Sequence, residues 1–198
     1  MYFFTADHHF YHASIIKFTN RPFSSLEEMH ETFINNHNAI VRPKDITVHA
    51  GDFSFATKAK TFALIARLNG THIFLKGCHD RWMGKSGVFQ KGKIQGVGYL
   101  YTKRFDKIHI VVSHWNMRTW PRSHYNSWNL FAHSHGRLEG TGKQIDIGVD
   151  TECLGIHKKY YPYSMDELAE IMKDRPDNFN FVGKEILLEK KVDALKKT

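Results

Sequence analysis

The sequence predicts an α/β fold built as one domain. Three observations lead there. Over residues 2–77, β-prone runs alternate with helical ones in the order β-α-β-α-β, which implies parallel strands joined by right-handed crossovers. The half that follows is richer in strands than in helices. And 198 residues without an internal repeat, a low-complexity tract or a Pro/Gly/Ser linker fit one compact core more readily than two, so residues 1–198 read as a single domain.

Residues 2–6, YFFTA, form the first β-prone run and give way at Asp7 to a histidine-rich loop. In residues 24–41, Ser24 stands three before Glu27 and Ser25 three before Glu28, and either pair fits a capping box for the helix beyond. Leu26, Met29, Phe33 and Ile40 then fall near helical spacing, and Pro43 closes the segment. ITVHAGD (46–52) reads as the second strand, TKAKTFALIARL (57–68) as a helix stopped by Asn69-Gly70, and THIFLKG (71–77) as the third strand. VGYLYTKRF (97–105) and IHIVVSH (108–114) flank a turn at Asp106-Lys107 and predict a hairpin. LFAHSH (130–135) and QIDIGVD (144–150) are two further short strands. SMDELAEIMKDR (164–175) is a helix with Ser164 as N-cap and Pro176 past its end, and GKEILLEKKVDALKK (183–197) predicts a C-terminal helix or tail within 183–198.

Formal charge is 28 − 20 = +8 and the pI about 9.4, a balance that favours anionic partners such as phosphates or nucleic acid. Part of the excess, Lys184, Lys190, Lys191, Lys196 and Lys197 interleaved with Glu185 and Glu189, reads as a solvated helix face. The 14 histidines raise the expectation of a metal or acid/base site. Cys78 and Cys153 make no disulfide framework and suit a reducing compartment. There is no basic leader and no run of about 20 apolar residues, so the expectation is a soluble cytoplasmic protein with no membrane partner.

Marking where the strands end exposes a pattern. Strand one runs into Asp7-His8-His9, strand two into Gly51-Asp52, and strand three into Gly77-Cys78-His79-Asp80; later strands run into Ser113-His114 and His133-Ser134-His135. Ligands gather outside the carboxyl ends of strands in α/β sheets, so all five clusters are expected to converge on one crevice. Asp7 and His9 are two apart, which in an extended segment puts both on one side; the same holds for His133 and His135. Asp52 could bridge two cations, which two-metal sites hold roughly 3.5–4 Å apart. Mixed N/O ligation suits Mn, Fe or Zn rather than Ca or Mg alone.

The ordered set DHH (7–9), GD (51–52), GCHD (77–80), His114 and AHSH (132–135) resembles the calcineurin-like metallophosphoesterases, whose motifs run Asp-x-His, Gly-Asp, Gly-Asn-His-Asp/Glu, a lone His, and Gly-His-x-His. The opening ADHHFYHASIIKFTNRPF looks like a small, single-domain branch of that family found in bacteria and phages. The resemblance implies a four-layer sandwich, two mixed β-sheets flanked by helices. It implies one metal on Asp7, His9, Asp52 and His135, and another on Asp52, Cys78, His114 and His133. It also implies hydrolysis of a phosphate ester: a hydroxide activated by two divalent cations attacks phosphorus, His79 protonates the leaving oxygen, and Asp80 orients His79. The other reading of His79 and Asp80 is a purely structural pair.

Two positions depart from the pattern. Ala132 replaces Gly, which adds one methyl and needs only an ordinary backbone. Cys78 replaces Asn; a thiolate is softer than an amide oxygen and charged, favouring Zn or Fe. Cys78 reads as a metal ligand, as a small non-ligating neighbour, or as a redox or altered-site residue, whereas a cysteine nucleophile would leave the metal set unexplained.

His12 is a candidate substrate contact or a structural histidine, and Arg21 a candidate phosphate clamp or a loop ion pair. The segment 115–128 interleaves Trp115, Trp120, Tyr125 and Trp128 with Arg118 and Arg122. Such a mixture stacks on a nucleobase beside a phosphate or packs beneath its own loop. The expected function is therefore a metal-dependent phosphoesterase acting on a phosphodiester of a nucleotide or nucleic acid. The alternative is a catalytically weakened, metal-binding module that grips nucleic acid.

Overall fold

The computed structural model describes residues 1–183, so all but the first residue of the helix expected at 183–197 lies outside the described residues. In chain order the elements are β1 (Tyr2–Thr5), α1 (Ser14–Phe18), α2 (Leu26–Ile40), β2 (Ile46–His49), α3 (Lys58–Ile65), β3 (Thr71–Phe74), β4 (Val88–Lys91), β5 (Ile94–Val97), β6 (Leu100–Phe105), β7 (Ile108–Ser113), β8 (Trp128–Phe131), β9 (Gln144–Asp146), β10 (Tyr163–Ser164) and α4 (Met165–Asp174). They build two mixed sheets, ordered β10-β1-β2-β3-β5-β4 and β6-β7-β8-β9. In the first, β1, β2, β3 and β5 are parallel and the edge strands β10 and β4 antiparallel. In the second, β6 is antiparallel to β7, and β7, β8 and β9 are parallel. No helix among the described residues is long and apolar enough to cross a membrane.

Strand alternation sets the layers. Phe4, Val48 and Ile73 face inward and meet Ile110, Val112, Leu130 and Ile145 of the second sheet, an inter-sheet core that Leu168 and Met172 of α4 complete. The residue after each points the other way. His49 and Phe74 face a second apolar cluster with Met29 and Phe33 of α2 and Leu64 and Ile65 of α3. The result is an α/β sandwich of two mixed sheets. The loop 115–127 is tied to the second sheet through Gln144, whose Nε2 donates to Met117 O, and its Trp120 is buried with Nε1 donating to Ser127 O.

Helix ends follow the expected chemistry. Of the two serines before α2, Ser25 is the cap, its side chain accepting from Glu28 N, while the Glu28 carboxylate accepts from Ser24. Ser164 and Glu167 form a reciprocal capping box at α4. The strands are shorter than their apolar runs predicted. Residues 50–52, 75–77 and 132–135 lie beyond the strand ends; Gly51 there takes φ +96°. The β4–β5 hairpin has no counterpart in the sequence reading, because β4 is largely exposed and carries no buried alternation to reveal it.

Under α2, His37, His49 and His72 are buried together, with His49 Nε2 3.1 Å from His72 Nδ1. Burial holds all three below the ordinary imidazole value, His72 at about 3. The unfolded chain therefore binds protons that the folded chain refuses, so stability is full above pH about 6.5 and declines as the pH falls below it. We expect a loss of about 1.4 kcal/mol per pH unit for each histidine that protonates only on unfolding. Urea midpoints measured from pH 7 to 5 check this, and His49→Phe should flatten the decline.

Candidate metal centre

The parallel strands of both sheets end on the same side, and their extensions meet there. Ala6, just past β1, bridges Gly148, just past β9, and His9 N and Phe10 N donate to Asp52 O and Phe53 O. Two groups of ligand atoms result, each with every atom within 4.8 Å of the others: Asp52, Cys78, His114 and His133, and Asp7, His9 and His135. Asp52 stands between them, its Oδ2 3.4 Å from His114 Nε2 and 3.7 Å from His9 Nε2. All seven residues expected from the strand ends come together, and each group could hold a metal ion.

The reason for the convergence differs from the expected one. Asp7, His9, His133 and His135 are not extended; their φ values are 58°, 54°, 71° and 52°, and Asp52 has φ 52°. Five side chains with a Cβ thus sit in the left-handed region, a conformation that costs energy and persists where surrounding bonds impose it. Gly77 is required by close approach, since a Cβ there would lie 2.3 Å from Asp52 Oδ1. A Cβ on Gly51 would meet His114 Nδ1 at 2.7 Å.

Surrounding groups fix which atoms face the centre. His114 Nδ1 pairs with Ala50 O at 2.8 Å and His135 Nδ1 with Asp150 Oδ2 at 2.7 Å, leaving Nε2 of each ring for a cation. Asp7 Oδ2 accepts from His133 N, while Asp7 Oδ1 and His9 Nε2 are buried without a hydrogen-bond partner. Orphaned buried donor atoms of this kind fit a bound cation. Burial pushes the Asp7 carboxyl up to about 7 against His114 and His135. It also lowers His9 to about 3 against the pull of Asp52. At Asp52, burial pushes upward, yet His114 and the His79 N–H hold the carboxyl at about 2. Cys78 is exposed, with Sγ 3.7 Å from His133 Nδ1, and burial with the Asp52 charge pushes the thiol up.

Two expectations change, and a third is divided between its two readings. Asp80 does not orient His79: its fully buried carboxylate accepts from Asp52 N, Phe53 N, Ser54 N, Gly77 N and Trp82 Nε1. Burial raises its carboxyl above the ordinary value, and those donors pull the other way. Arg21 is not placed to clamp a phosphate, because its guanidinium is buried and its donors go to Asp150, Asp7 O, His8 O and Met29 Sδ. It holds Asp150, which holds His135. Asp150 itself carried no motif; the rule that strand ends bear the site was its only signal. The aromatic loop divides: Trp128 joins the inter-sheet core and Trp120 is buried, while Trp115 is exposed beside His133, ring centroids 6.4 Å apart. His79 and His12 stand at the mouth, the His79 Nε2 3.9 Å from Asp52 Oδ2.

No family model matches the chain. It is 33% identical over 175 residues to the uncharacterized protein MJ1445 of Methanocaldococcus jannaschii, covering 85% of this chain and 89% of that protein. The chain belongs to the family of MJ1445. Among solved structures it is similar to the protein of unknown function AQ665 from Aquifex aeolicus, with a TM-score of 0.58, 21% identity, and 86% of this chain and 98% of that one covered. At that identity the likeness is one of fold.

Asp80→Asn leaves one acceptor oxygen and turns an amide N–H₂ toward backbone donors. We expect a loss of about 3 kcal/mol in urea unfolding followed by far-ultraviolet circular dichroism. A change below about 1 kcal/mol would contradict the role given to this carboxylate.

Proposed function

We propose that the chain is a calcineurin-like metallophosphoesterase, of the four-layer type that the motif order implies, hydrolysing a phosphate ester with two divalent cations of the Mn, Fe or Zn class. The observation that carries this reading is the pair of ligand groups with Asp52 between them, built from the five strand-end motifs in family order. Asp7, His9, Asp52 and His135 would hold one cation, and Asp52, Cys78, His114 and His133 the other. Bound there, the cations supply acidified water and neutralise charge on the phosphoryl oxygens.

The remaining steps belong to side chains. His79, with 46% of its side chain exposed above Asp52, delivers a proton to the leaving oxygen. Trp115 and Tyr99, both exposed with ring centroids 6.2 Å apart, flank the Cys78 and His133 side and offer apolar faces to a planar group. With the net charge of +8, this favours a phosphodiester of a nucleotide or nucleic acid. His12 stands at the same mouth as a substrate contact.

A specific observation supports a second reading. The Cys78 thiol lies within the second ligand group where the family carries an amide, and a thiolate there adds negative charge against an incoming phosphate. In that case the chain binds metal and nucleic acid but turns over poorly. One assay separates the two: cleavage of aryl phosphomonoesters and phosphodiesters with Mn, Zn, Fe or Mg, by the unmodified protein and by Cys78→Asn. The first reading predicts metal-dependent turnover by the unmodified protein that Asp52→Asn reduces to background. Turnover only after Cys78→Asn supports the second, and metal-independent turnover contradicts the first.

A further inference from the structure

His79 lacks the carboxylate partner that its neighbour in sequence suggested, since Asp80 is committed to its five N–H donors. Its backbone N donates to Asp52 Oδ1, which fixes the main chain but not the ring. The ring rests on Phe55, with centroids 4.5 Å apart and planes inclined by 25°. His12 also stacks on Phe55, at 4.0 Å and 20°, with its ring 6.4 Å from that of His79. His12 Nδ1 in turn lies 3.3 Å from His9 Nδ1, so this ring cluster is tied to a candidate ligand. Phe55 is itself anchored, its N donating to Phe10 O at 3.0 Å.

Phe55 is 38% exposed at the mouth of the site, a place where an aromatic ring would ordinarily be assigned to stacking on substrate. Two imidazoles of the chain already stack on it, which engages the ring within the site. Apart from Phe55 and His12, the His79 ring has among the described residues only the 3.9 Å approach of its Nε2 to Asp52 Oδ2 and the His9 ring 5.5 Å away, and a proton donor has to be held in one orientation to work.

We propose that Phe55, backed by His12, is the positioning residue that fixes the imidazole plane of His79 over the centre. This rests on the reading of His79 as the acid in ester hydrolysis. An acid acts on the leaving oxygen, so loss of its alignment falls on esters with poor leaving groups and spares those that need no proton.

The experiment uses Phe55→Leu, which keeps apolar bulk without a ring face, and a series of aryl phosphodiesters from p-nitrophenyl to phenyl. For the phenyl ester kcat should fall by about tenfold or more while KM holds, and for the p-nitrophenyl ester it should change by less than about twofold. Phe55→Tyr should restore the phenyl rate, and adding Phe55→Leu to His79→Gln should change nothing further. In the zinc-loaded protein, the His79 ring-proton NMR signal, assigned by its disappearance in His79→Gln, should lose its ring-current shift in Phe55→Leu. Equal loss across the series, additive loss with His79→Gln, or an unmoved NMR signal would overturn the proposal. Absence of hydrolysis throughout would remove the phosphoesterase reading, while the NMR signal still decides whether Phe55 holds the ring.

Discussion

The buried carboxylate of Asp80 is the constraint on which the candidate centre depends. It accepts from backbone N–H groups at residues 52, 53, 54 and 77 and from the Trp82 indole, so it joins the loops after β2 and β3 to each other and to the core beneath. Those loops carry Asp52 and Cys78. Without a common acceptor, their N–H groups would be buried unpaired, at about 1–3 kcal/mol each. The acidic residue that follows His79 is therefore explained by the backbone N–H groups it accepts from.

Around this tie, other carboxylates serve as struts. Asp150 joins Arg21 to His135, and Asp146 accepts from Ser134 Oγ, Gly136 N and Gly148 N, holding the loop that presents His133 and His135. The left-handed backbone at Asp7, His9, Asp52, His133 and His135 is the consequence: tertiary hydrogen bonds hold each residue where its own preference would not. Strain gathered past the ends of three separate strands, β1, β2 and β8, is the pattern expected where function, rather than stability, selects conformation.

Much of the architecture was legible in the sequence, and for physical reasons. Runs such as YFFT, ITVH and THIF bury residues on both faces of a parallel sheet, and Ser164 with Glu167 announces a helix start. The positions of the candidate ligands were legible because strand ends are fixed by the apolar runs before them. What the sequence concealed was set by tertiary geometry. Spacing of two between Asp7 and His9 suggested an extended segment, but the chain turns left-handed there. Arg21 and Asp150 are 129 residues apart, and no local pattern announces their pairing. Adjacency of His79 and Asp80 suggested a couple, yet the buried acid points into the loops while the imidazole stacks on Phe55. The exposed β4–β5 hairpin lacked a buried face to mark it.

On the proposed reading, the strand-end residues would hold two cations, one on either side of Asp52. Anomalous diffraction from crystals grown with Mn or Zn tests it most directly. The account predicts two peaks on either side of the Asp52 carboxylate, roughly 3.5–4 Å apart, one beside Asp7, His9 and His135 and the other beside His114 and His133. A single peak, or peaks away from Asp52, would contradict it.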